Sequence, residues 1–335
     1  MRTSLGGIMM TTYRSYQVEQ QEETVHFKQQ KVTTAALAPD TVRIQVAYSS
    51  INYKDVLATQ ANGGVIRQYP MTPGIDLSGT IVATQDARFQ VGQAVLATGY
   101  GLGVSHPGGF AEIATVPGDW VIPLPSGMSP REAMQYGTAG FTAGLSVQAL
   151  TEVDRKALIL VSGATGGVGS VALLLLRQMG FTNRLALIRH AEQQAWVEAH
   201  GATAIVMADE LMTSTKPLQK QRFGAAVDTV GGAVASAIVP QLAMNGVMTM
   251  CGNSAGIAFD TNVLPFILRG ISVFGIDSVQ VDHQKREAVW THLATDWRVS
   301  EQIPTREIGF DDLPETIAAW STKRYLGRTI VRVAD

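Results

Sequence analysis

The stretch that most restricts the fold is residues 157–180, ALILVSGATGGVGSVALLLLRQMG. Its apolar start predicts a buried strand over 157–162, and the glycines that follow predict a turn over 163–167. The aliphatic run after the turn predicts a helix that opens near Val168. A strand, a glycine-rich turn and a helix in this order are the setting of a dinucleotide-binding loop.

The spacing of the glycines favours the same interpretation. In the G-x-G-x-x-G register the three positions are Ala164, Gly166 and Gly169, so alanine stands in the first glycine's place. The second position lets the backbone approach a pyrophosphate, and the third lets the helix pack closely on the strand. The N-terminus of the helix then offers free N–H groups and a partial positive charge to the phosphates.

A membrane span is the alternative interpretation of this stretch. Residues 157–176 carry no charged side chain, and about twenty such residues are enough to cross a bilayer. Four glycines in the middle of the run disfavour one continuous helix. The order of strand, turn and helix therefore favours the nucleotide loop.

Length and charge narrow the class of protein. A chain of 335 residues with 46% hydrophobic residues is long enough for two domains. With 26 basic and 28 acidic residues it is nearly neutral, so no nucleic-acid or membrane partner is implied. The single cysteine, Cys251, excludes an internal disulfide. The N-terminus lacks the apolar core of a signal peptide, and we expect a cytoplasmic protein.

The patterns on either side of the loop predict two kinds of architecture. Before residue 121, short β-branched runs broken by Gly, Pro and Asp predict a β-rich part with strands at 42–46, 79–84, 94–98 and 111–116. Residues 129–149 read as a helix with Ser126 or Ser129 as N-cap and Pro130 in its first turn. Beyond the first strand at 157–162, the parallel doubly wound sheet is predicted to continue with strands at 185–189, 204–206, 225–230, 247–251 and 271–276. The tail ends in GRTIVRV, an edge-strand pattern that would rejoin the β-rich part.

The end of the second nucleotide-sheet strand bears on the cofactor. In NAD-binding sheets an acidic residue about 20 positions beyond the loop accepts hydrogen bonds from the ribose 2′-hydroxyl. Here the strand runs into Arg189 and His190, and a guanidinium suits a 2′-phosphate. The sequence therefore favours NADPH, the alternative being a solvated Arg189 with Glu192 serving NAD.

The order of parts resembles the medium-chain dehydrogenase/reductase superfamily over nearly the whole chain. The resemblance implies an α/β fold: a GroES-like β-rich catalytic domain plus a Rossmann doubly wound parallel sheet. It implies a GroES-like domain over 11–130 completed by 296–335, and a Rossmann NADP-binding domain over 131–295; from its own residues, 1–10 is expected to be a disordered extension. Zinc members carry a G-H-E motif where this chain reads Gly74-Ile75-Asp76. We therefore expect no metal, and reduction of a conjugated C=C bond or a quinone rather than alcohol oxidation.

Motifs along the whole chain resemble the YhdH-type branch, the NADPH-dependent acrylyl-CoA reductases first described as quinone oxidoreductases. They are SINYKD (50–55), IRQYPMTPGIDLSGTI (66–81), GDW (118–120), GTAGFTA (137–143), SGATGGVGS (162–170), DTVGG (228–232), CGN (251–253) and PFILRGISVFGIDSV (265–279). Two departures are Ile188-Arg189-His190, where relatives often have Ser-Gly-Lys or Ser-Gly-Arg, and Pro107, where they often have tryptophan.

The resemblance implies roles for individual residues. Tyr53 and Asn52 would be catalytic, with Tyr53 beside the nicotinamide and either Tyr53 or water as the proton donor. By their charge, Lys54 and Arg67 would attract the phosphates of coenzyme A. The implied cofactor-binding residues are Tyr53, Thr138, Thr165, Gly166, Gly167, Val168, Arg189, His190, Asn253, Ile267, Ser278 and Arg324.

Each of these roles has a structural alternative. Tyr53 could be a core tyrosine, and the two threonines could satisfy local backbone groups. Asp55, close to Tyr53 in the chain, is expected to cap a helix. The two cations could simply be solvated, and Cys251 reads as a core residue rather than a nucleophile.

The function expected from the resemblance is reduction of acrylyl-CoA, or of a related α,β-unsaturated acyl-CoA, to the saturated thioester by hydride transfer from NADPH. A quinone or enone reductase on the same fold is the second hypothesis. A non-catalytic NADPH-binding redox sensor is the third. The family also leads us to expect a homodimer paired through the sixth strand of the nucleotide sheet.

Overall fold

The first part of the chain is built from strands. The computed structural model describes residues 10–320, 322 and 325–334; the predicted extension over 1–10 lies outside them except for Met10. The elements are β1 (Thr12–Gln21), β2 (Thr24–Thr33), β3 (Thr41–Ile51), α1 (Tyr53–Ala58), β4 (Asp76–Thr84), β5 (Ala94–Thr98), β6 (Ile113–Pro117) and β7 (Val121–Pro123). Strands β1 and β2 form a separate antiparallel hairpin, which sequence patterns had not predicted.

Strands and helices then alternate. The elements are α2 (Pro130–Gln148), β8 (Leu158–Val161), α3 (Gly167–Gln178), β9 (Asn183–Ile188), α4 (Gln194–Ala199), β10 (Ala204–Met207), α5 (Ala208–Leu211), β11 (Phe223–Asp228), α6 (Gly232–Ile238), β12 (Leu242–Met250), α7 (Leu264–Arg269), β13 (Ser272–Gly275) and α8 (His283–Ala294). After α8 come β14 (Thr305–Gly309), α9 (Leu313–Ala318) and β15 (Arg328–Arg332).

Strands β8 to β13 form one six-stranded sheet in the order β10-β9-β8-β11-β12-β13, with parallel pairing throughout. This is the doubly wound order, so the predicted Rossmann sheet is confirmed. The sheet is covered on both faces, which is why β8 is a continuous apolar run rather than an alternating one. Strand β12 begins at Leu242, five positions before the predicted start.

The tail of the chain enters the sheet of the β-rich part. That sheet has the order β14-β15-β3-β4-β5-β7, and β6 pairs with β3. The expectation that GRTIVRV forms an edge strand is wrong, because β15 lies between β14 and β3. Its first four residues are all buried. The sequence of so short a strand does not reveal whether it has one neighbouring strand or two.

Helix α2 joins the two sheets. Ser129 is its N-cap, accepting from the Glu132 N–H in a capping box, and Pro130 occupies the first turn. Gly137 breaks the helix with φ 52° and ψ −158°. A Cβ there would lie 2.5 Å from Asp76 Oδ2, so only glycine fits. Within the part of the chain that the structure describes, no helix is both long and apolar enough to cross a membrane.

Candidate active site

A buried carboxylate lies where α2 breaks. Asp76 is at the start of β4 with no exposed surface. Its side chain accepts from Asn52 Nδ2 at 2.7 Å and from the backbone N–H of Thr138 at 2.9 Å, and also from the hydroxyls of Ser50 and Thr138. The break at Gly137 exposes an N–H at the start of a new helical segment, and Asp76 caps it.

Arg328, the first residue of β15, is the cation of this cluster. Its side chain is 2% exposed. It donates to Ser50 Oγ at 2.8 Å and to Asn52 Oδ1 at 3.2 Å, and its Nη2 lies 3.8 Å from Asp76 Oδ2. Burial lowers the pKa of Arg328, and the nearby Asp76 opposes that shift. The contact joins the tail of the chain to the strands β3 and β4.

Asp55 is the second buried acid. Its Oδ1 accepts from the N–H groups of Gly74 at 3.1 Å and Ile75 at 2.9 Å, and its Oδ2 accepts from the Asn52 N–H at 2.8 Å. Burial, and then the charge of Asp76, raise its pKa from 3.8 to about 7. The helix-cap interpretation of Asp55 is confirmed by its place in a capping box, but its contacts to residues 74 and 75 were not foreseen. We call Ser50, Asn52, Asp55, Asp76, Thr138 and Arg328 the carboxylate cluster.

The donor set does not fit a zinc ion. Ile75, in the segment that resembles the G-H-E motif of zinc members, is a buried apolar side chain, and Asp76 already accepts several hydrogen bonds. Among the described residues, no three His, Cys, Asp or Glu side chains are placed to hold a metal ion.

Tyr53 opens α1 directly after Asn52, and its side chain is 52% exposed. The alternative that Tyr53 is a core residue is therefore wrong. The neighbouring Lys54 and the more distant Arg67 line one cavity of about 560 Å³. Its other lining residues are Gly64, Val65, Gln68, Val104 and Ser105. We call this the basic cavity, and it brings together the two cations that the sequence had singled out.

The glycine-rich loop follows β8 as predicted. Gly163 has φ +58°, and a Cβ on Gly169 would lie 2.3 Å from the Gly163 carbonyl oxygen. Gly166 is the N-cap of α3 and is exposed, so N–H groups of the first turn are open to a ligand. Thr165, Gly167 and Val168 are half-buried beside it.

The carboxylate cluster and the glycine-rich loop are adjacent. A Cβ on Gly167 would lie 3.2 Å from Arg328 Nη1 and 3.3 Å from the Ala139 Cβ. The N–H of Gly327 donates to the carbonyl oxygen of Thr165 at 2.9 Å. The carboxylate cluster on the β-rich side therefore packs directly against the glycine-rich loop on the nucleotide side, and we call these two facing sides the walls of the cleft between the sheets.

The wall of the nucleotide sheet has a polar cluster of its own. Asp228, at the end of β11, accepts from the Ser162 hydroxyl at 2.6 Å and from the Gly231 N–H at 2.9 Å. Burial raises its pKa. Cys251 lies beside it and is half-buried, so it is not the core residue that the sequence predicted; burial raises the pKa of its thiol to about 12, which does not favour a nucleophile.

The other proposed cofactor residues are spread along this wall. Arg189 is exposed and His190 half-buried, and their N–H groups both donate to Gln193 Oε1 at 3.3 Å. Asn253 is exposed after β12, whereas Ser278 is buried after β13. Ile267 lies on α7 and is 70% exposed. Arg324 is outside the described residues.

Three members of the carboxylate cluster escaped the sequence analysis: Ser50, Asp76 and Arg328. The sequence does contain one sign of their role: one buried strand starts with an acid and another with an arginine. Because isolated charges are rarely buried unpaired, such strands indicate a buried ion pair. The pairing itself spans more than two hundred residues, and local patterns do not reveal it.

Comparison with known proteins agrees with this architecture. Residues 38–126 match the alcohol dehydrogenase GroES-like domain, and residues 167–295 match the zinc-binding dehydrogenase family. The putative quinone oxidoreductase YhfP of Bacillus subtilis is 39% identical over 331 residues, covering 97% of this chain and 100% of the relative. The probable acrylyl-CoA reductase AcuI of Escherichia coli is 38% identical, covering 94% and 98% of the two chains.

Solved structures give the same result. The yhdH oxidoreductase of Salmonella enterica in complex with NADP superposes with a TM-score of 0.91 at 38% identity, covering 96% of this chain and 100% of the other. YhfP with NAD bound superposes at 0.92 and 39% identity, with the same coverage. On this likeness in sequence and structure, the chain belongs to the medium-chain dehydrogenase/reductases, in the quinone oxidoreductase-like, YhdH-type acrylyl-CoA reductase family.

Proposed function

We propose that this protein is an NADPH-dependent reductase that converts acrylyl-CoA, or a related α,β-unsaturated acyl-CoA, to the saturated thioester. The observation that carries the proposal is the basic cavity lined by Lys54 and Arg67, together with the exposed Tyr53 that directly precedes Lys54 in the chain. Coenzyme A is rich in phosphate, and cations at the rim of an otherwise largely uncharged cavity suit such a substrate. The name of the E. coli relative points to the same substrate class.

The cofactor would lie along the glycine-rich loop. The open N–H groups near Gly166 and Gly167, with no acidic side chain in the first turn of α3, suit a pyrophosphate. Thr165 and Val168 flank that position. Arg189 and His190 would meet a 2′-phosphate, and Thr138, Asn253, Ile267 and Ser278 would complete the site. The Salmonella relative binds NADP and the Bacillus relative binds NAD, so the choice rests on Arg189.

The reaction assigned to the site adds a hydride to the β-carbon of the thioester and a proton to its α-carbon. The bound nicotinamide supplies the hydride. The electrons of the C=C bond then form a double bond between the α-carbon and the carbonyl carbon, and the carbonyl π electrons move onto the thioester oxygen, giving an enolate that hydrogen-bond donors would stabilise. Tyr53 would donate the proton, because a phenol hydroxyl is a suitable general acid and the residue is half exposed rather than packed in the core. Asn52 would fix the start of α1, and with it the following Tyr53, because the Asn52 side-chain amide is hydrogen-bonded to Asp76 and Arg328.

The experiment is a substrate panel with both nicotinamides. We expect loss of the NADPH absorbance band with acrylyl-CoA, and a Tyr53→Phe variant that loses turnover of the thioester. Tyr69→Phe, on the loop between α1 and β4, is the matched control. Absence of turnover with any enoyl thioester, together with rapid turnover of a quinone, would reverse the proposal. Unchanged turnover in Tyr53→Phe would remove that residue from the chemistry.

Two other functions remain as outcomes of that panel. The name of YhfP supports a quinone or enone oxidoreductase on this fold. A redox sensor would bind NADPH without turning over thioesters or quinones.

We place the protein in the cytoplasm on the strength of its single cysteine.

We also propose a homodimer. Strand β13 is the last of the nucleotide sheet, and large apolar side chains are exposed on it and on the segment before it. They are Ile257, Val263, Ile267, Leu268 and Phe274. Such a patch beside a terminal strand favours pairing with a second copy. Light scattering on the wild type and on Phe274→Lys tests this, and a monomeric wild type would contradict it.

A further inference from the structure

A buried arginine lies between aromatic rings from both sides of the cleft. Arg286, on α8, has no exposed surface. Its guanidinium carbon is 4.5 Å from the centre of the Tyr100 ring and 4.8 Å from that of Phe141. Tyr100 in turn stacks on Trp120, with ring centres 5.5 Å apart and an angle of 3°. Phe141 belongs to α2 and Trp120 to the β-rich part, so the stack joins the two halves of the molecule.

The hydrogen bonds of Arg286 join two segments of chain. Nη1 donates to the Thr98 carbonyl oxygen at 2.9 Å, and Nη2 donates to the carbonyl oxygens of Ser278 at 3.2 Å and Val279 at 3.0 Å. Thr98 ends β5, and Ser278 lies in the segment to which we assign cofactor contacts. Arg286 therefore fixes the end of β5 against that segment.

Tyr100 is held in an unusual backbone conformation. Its φ is +50°, in the left-handed region that residues with a side chain rarely adopt. Such a conformation persists only when surrounding contacts hold it. Here its N–H donates to the Val279 carbonyl oxygen at 3.1 Å, and its ring is clamped between Arg286 and Trp120.

The turn that starts at Tyr100 forms a wall of the basic cavity. The N–H of His106 donates to the Gly101 carbonyl oxygen at 3.0 Å, and the N–H of Gly103 donates to the His106 carbonyl oxygen at 2.8 Å. The tip of this turn carries Val104 and Ser105, which line the cavity together with Lys54 and Arg67. Any shift of Tyr100 is therefore passed to that wall.

We infer that Arg286 is a positioning residue that determines specificity for the coenzyme A part of the substrate. By holding Tyr100 and the 101–106 turn against Ser278 and Val279, it sets the distance across the basic cavity. This inference rests on the proposed function for the identity of the ligand, but the coupling of Arg286 to the turn does not depend on it.

The test uses full-length variants that disturb the stack in different ways. Arg286→Met keeps the length of the side chain without its charge, and Arg286→Lys keeps the charge without the planar group. Tyr100→Asn removes the aromatic ring but keeps a residue type that tolerates positive φ. This variant tests the stack even if Arg286→Met fails to fold. Tyr100→Phe retains the ring and is the matched control.

Kinetics separate positioning from mere stability. We expect KM for acrylyl-CoA to rise about tenfold or more in Arg286→Met and Tyr100→Asn, with a smaller change in kcat. Arg286→Lys should fall between them and wild type, and Tyr100→Phe should behave as wild type. The N-acetylcysteamine thioester of acrylic acid lacks the nucleotide part, so its KM should stay unchanged. A lower melting temperature with unchanged KM for acrylyl-CoA would overturn the inference.

A second measurement needs no turnover. Amide hydrogen exchange over residues 101–106 should quicken in Arg286→Met and Tyr100→Asn relative to Tyr100→Phe. Faster exchange in a protein that reduces no thioester would refute the proposed function and leave the coupling of Arg286 to the turn intact. Unchanged exchange in both variants would refute that coupling, whatever the substrate.

Discussion

The two walls of the cleft keep buried carboxylates in different ways. On the β-rich wall, Asp76 and Asp55 share the cluster with a cation, Arg328. On the nucleotide wall, Asp228 is held by the Ser162 hydroxyl and by backbone N–H groups. The first arrangement depends on a residue from the far end of the chain. The second is assembled from the ends of neighbouring strands.

The difference teaches where this molecule is sensitive. A buried ion pair holds together three segments that are distant in sequence, and loss of one partner leaves the other charge unpaired. Where only hydroxyl and N–H groups bind the acid, a substitution costs less stability, because the remaining groups rearrange locally. We therefore expect the β-rich wall to respond more strongly to substitution and to pH.

The largest effect should come from Arg328→Met. Removing the cation leaves Asp76 buried beside Asp55 with no counter-ion in the cluster, and we expect a loss of about 3–5 kcal/mol in the free energy of unfolding. Urea unfolding measures it. Arg332→Met, on the same strand but with its side chain 49% exposed, should lose less than about 1 kcal/mol. Equal losses in the two variants would contradict the special role of Arg328.

The next effect is the pH dependence of stability due to Asp55. Its folded pKa of about 7 lies above the ordinary 3.8, so the folded state binds this proton more tightly than the unfolded state. The stabilisation is complete below about pH 4 and is lost as the pH rises through about 7, by about 2–3 kcal/mol between pH 5 and 7. Asp55→Asn should remove this slope, as measured by urea unfolding across the range. A slope that persists in Asp55→Asn would assign the proton to another group.

A smaller effect is expected on the nucleotide wall from Arg189→Ala. An exposed guanidinium adds to phosphate binding without supporting the fold, so NADPH affinity should fall by about 1.5 kcal/mol, roughly tenfold. NADH affinity and unfolding should stay as in wild type. Calorimetric titration with both nucleotides measures this. The control is Arg177→Ala, at the end of α3 remote from the glycine-rich loop. Equal weakening of NADPH and NADH would show that Arg189 does not read the 2′-phosphate.

The smallest effect should come from Asp228→Asn. The amide keeps the shape and one acceptor oxygen, so about one hydrogen bond is lost and stability should fall by about 1 kcal/mol. The matched change on the other wall, Asp76→Asn, should cost more because Arg328 then loses its counter-ion. If the two asparagine variants were equally destabilised, the contrast between the walls would fail.

Local signals predicted the nucleotide wall well and the β-rich wall poorly. Continuous apolar runs and glycine spacing identified the strands of the doubly wound sheet, and Ser129 with Pro130 marked the start of α2. The hairpin β1–β2 and the inner position of β15 were missed. Antiparallel strands that meet across long stretches of chain leave no local sign of their neighbours. Lys54 and Arg67 were selected as cations, yet nothing in their spacing showed that they share a cavity.

The sequence by itself determined the nucleotide-binding architecture, because a strand, a glycine-rich turn and a helix are specified by consecutive residues. Only the tertiary structure decided that Asp76 meets Arg328 and that Arg286 clamps Tyr100. These contacts join residues about two hundred positions apart, and they form only when both sheets have closed over the cleft. Burial then gives those charges their effect, since a low-dielectric interior strengthens each pairing and penalises each charge left alone.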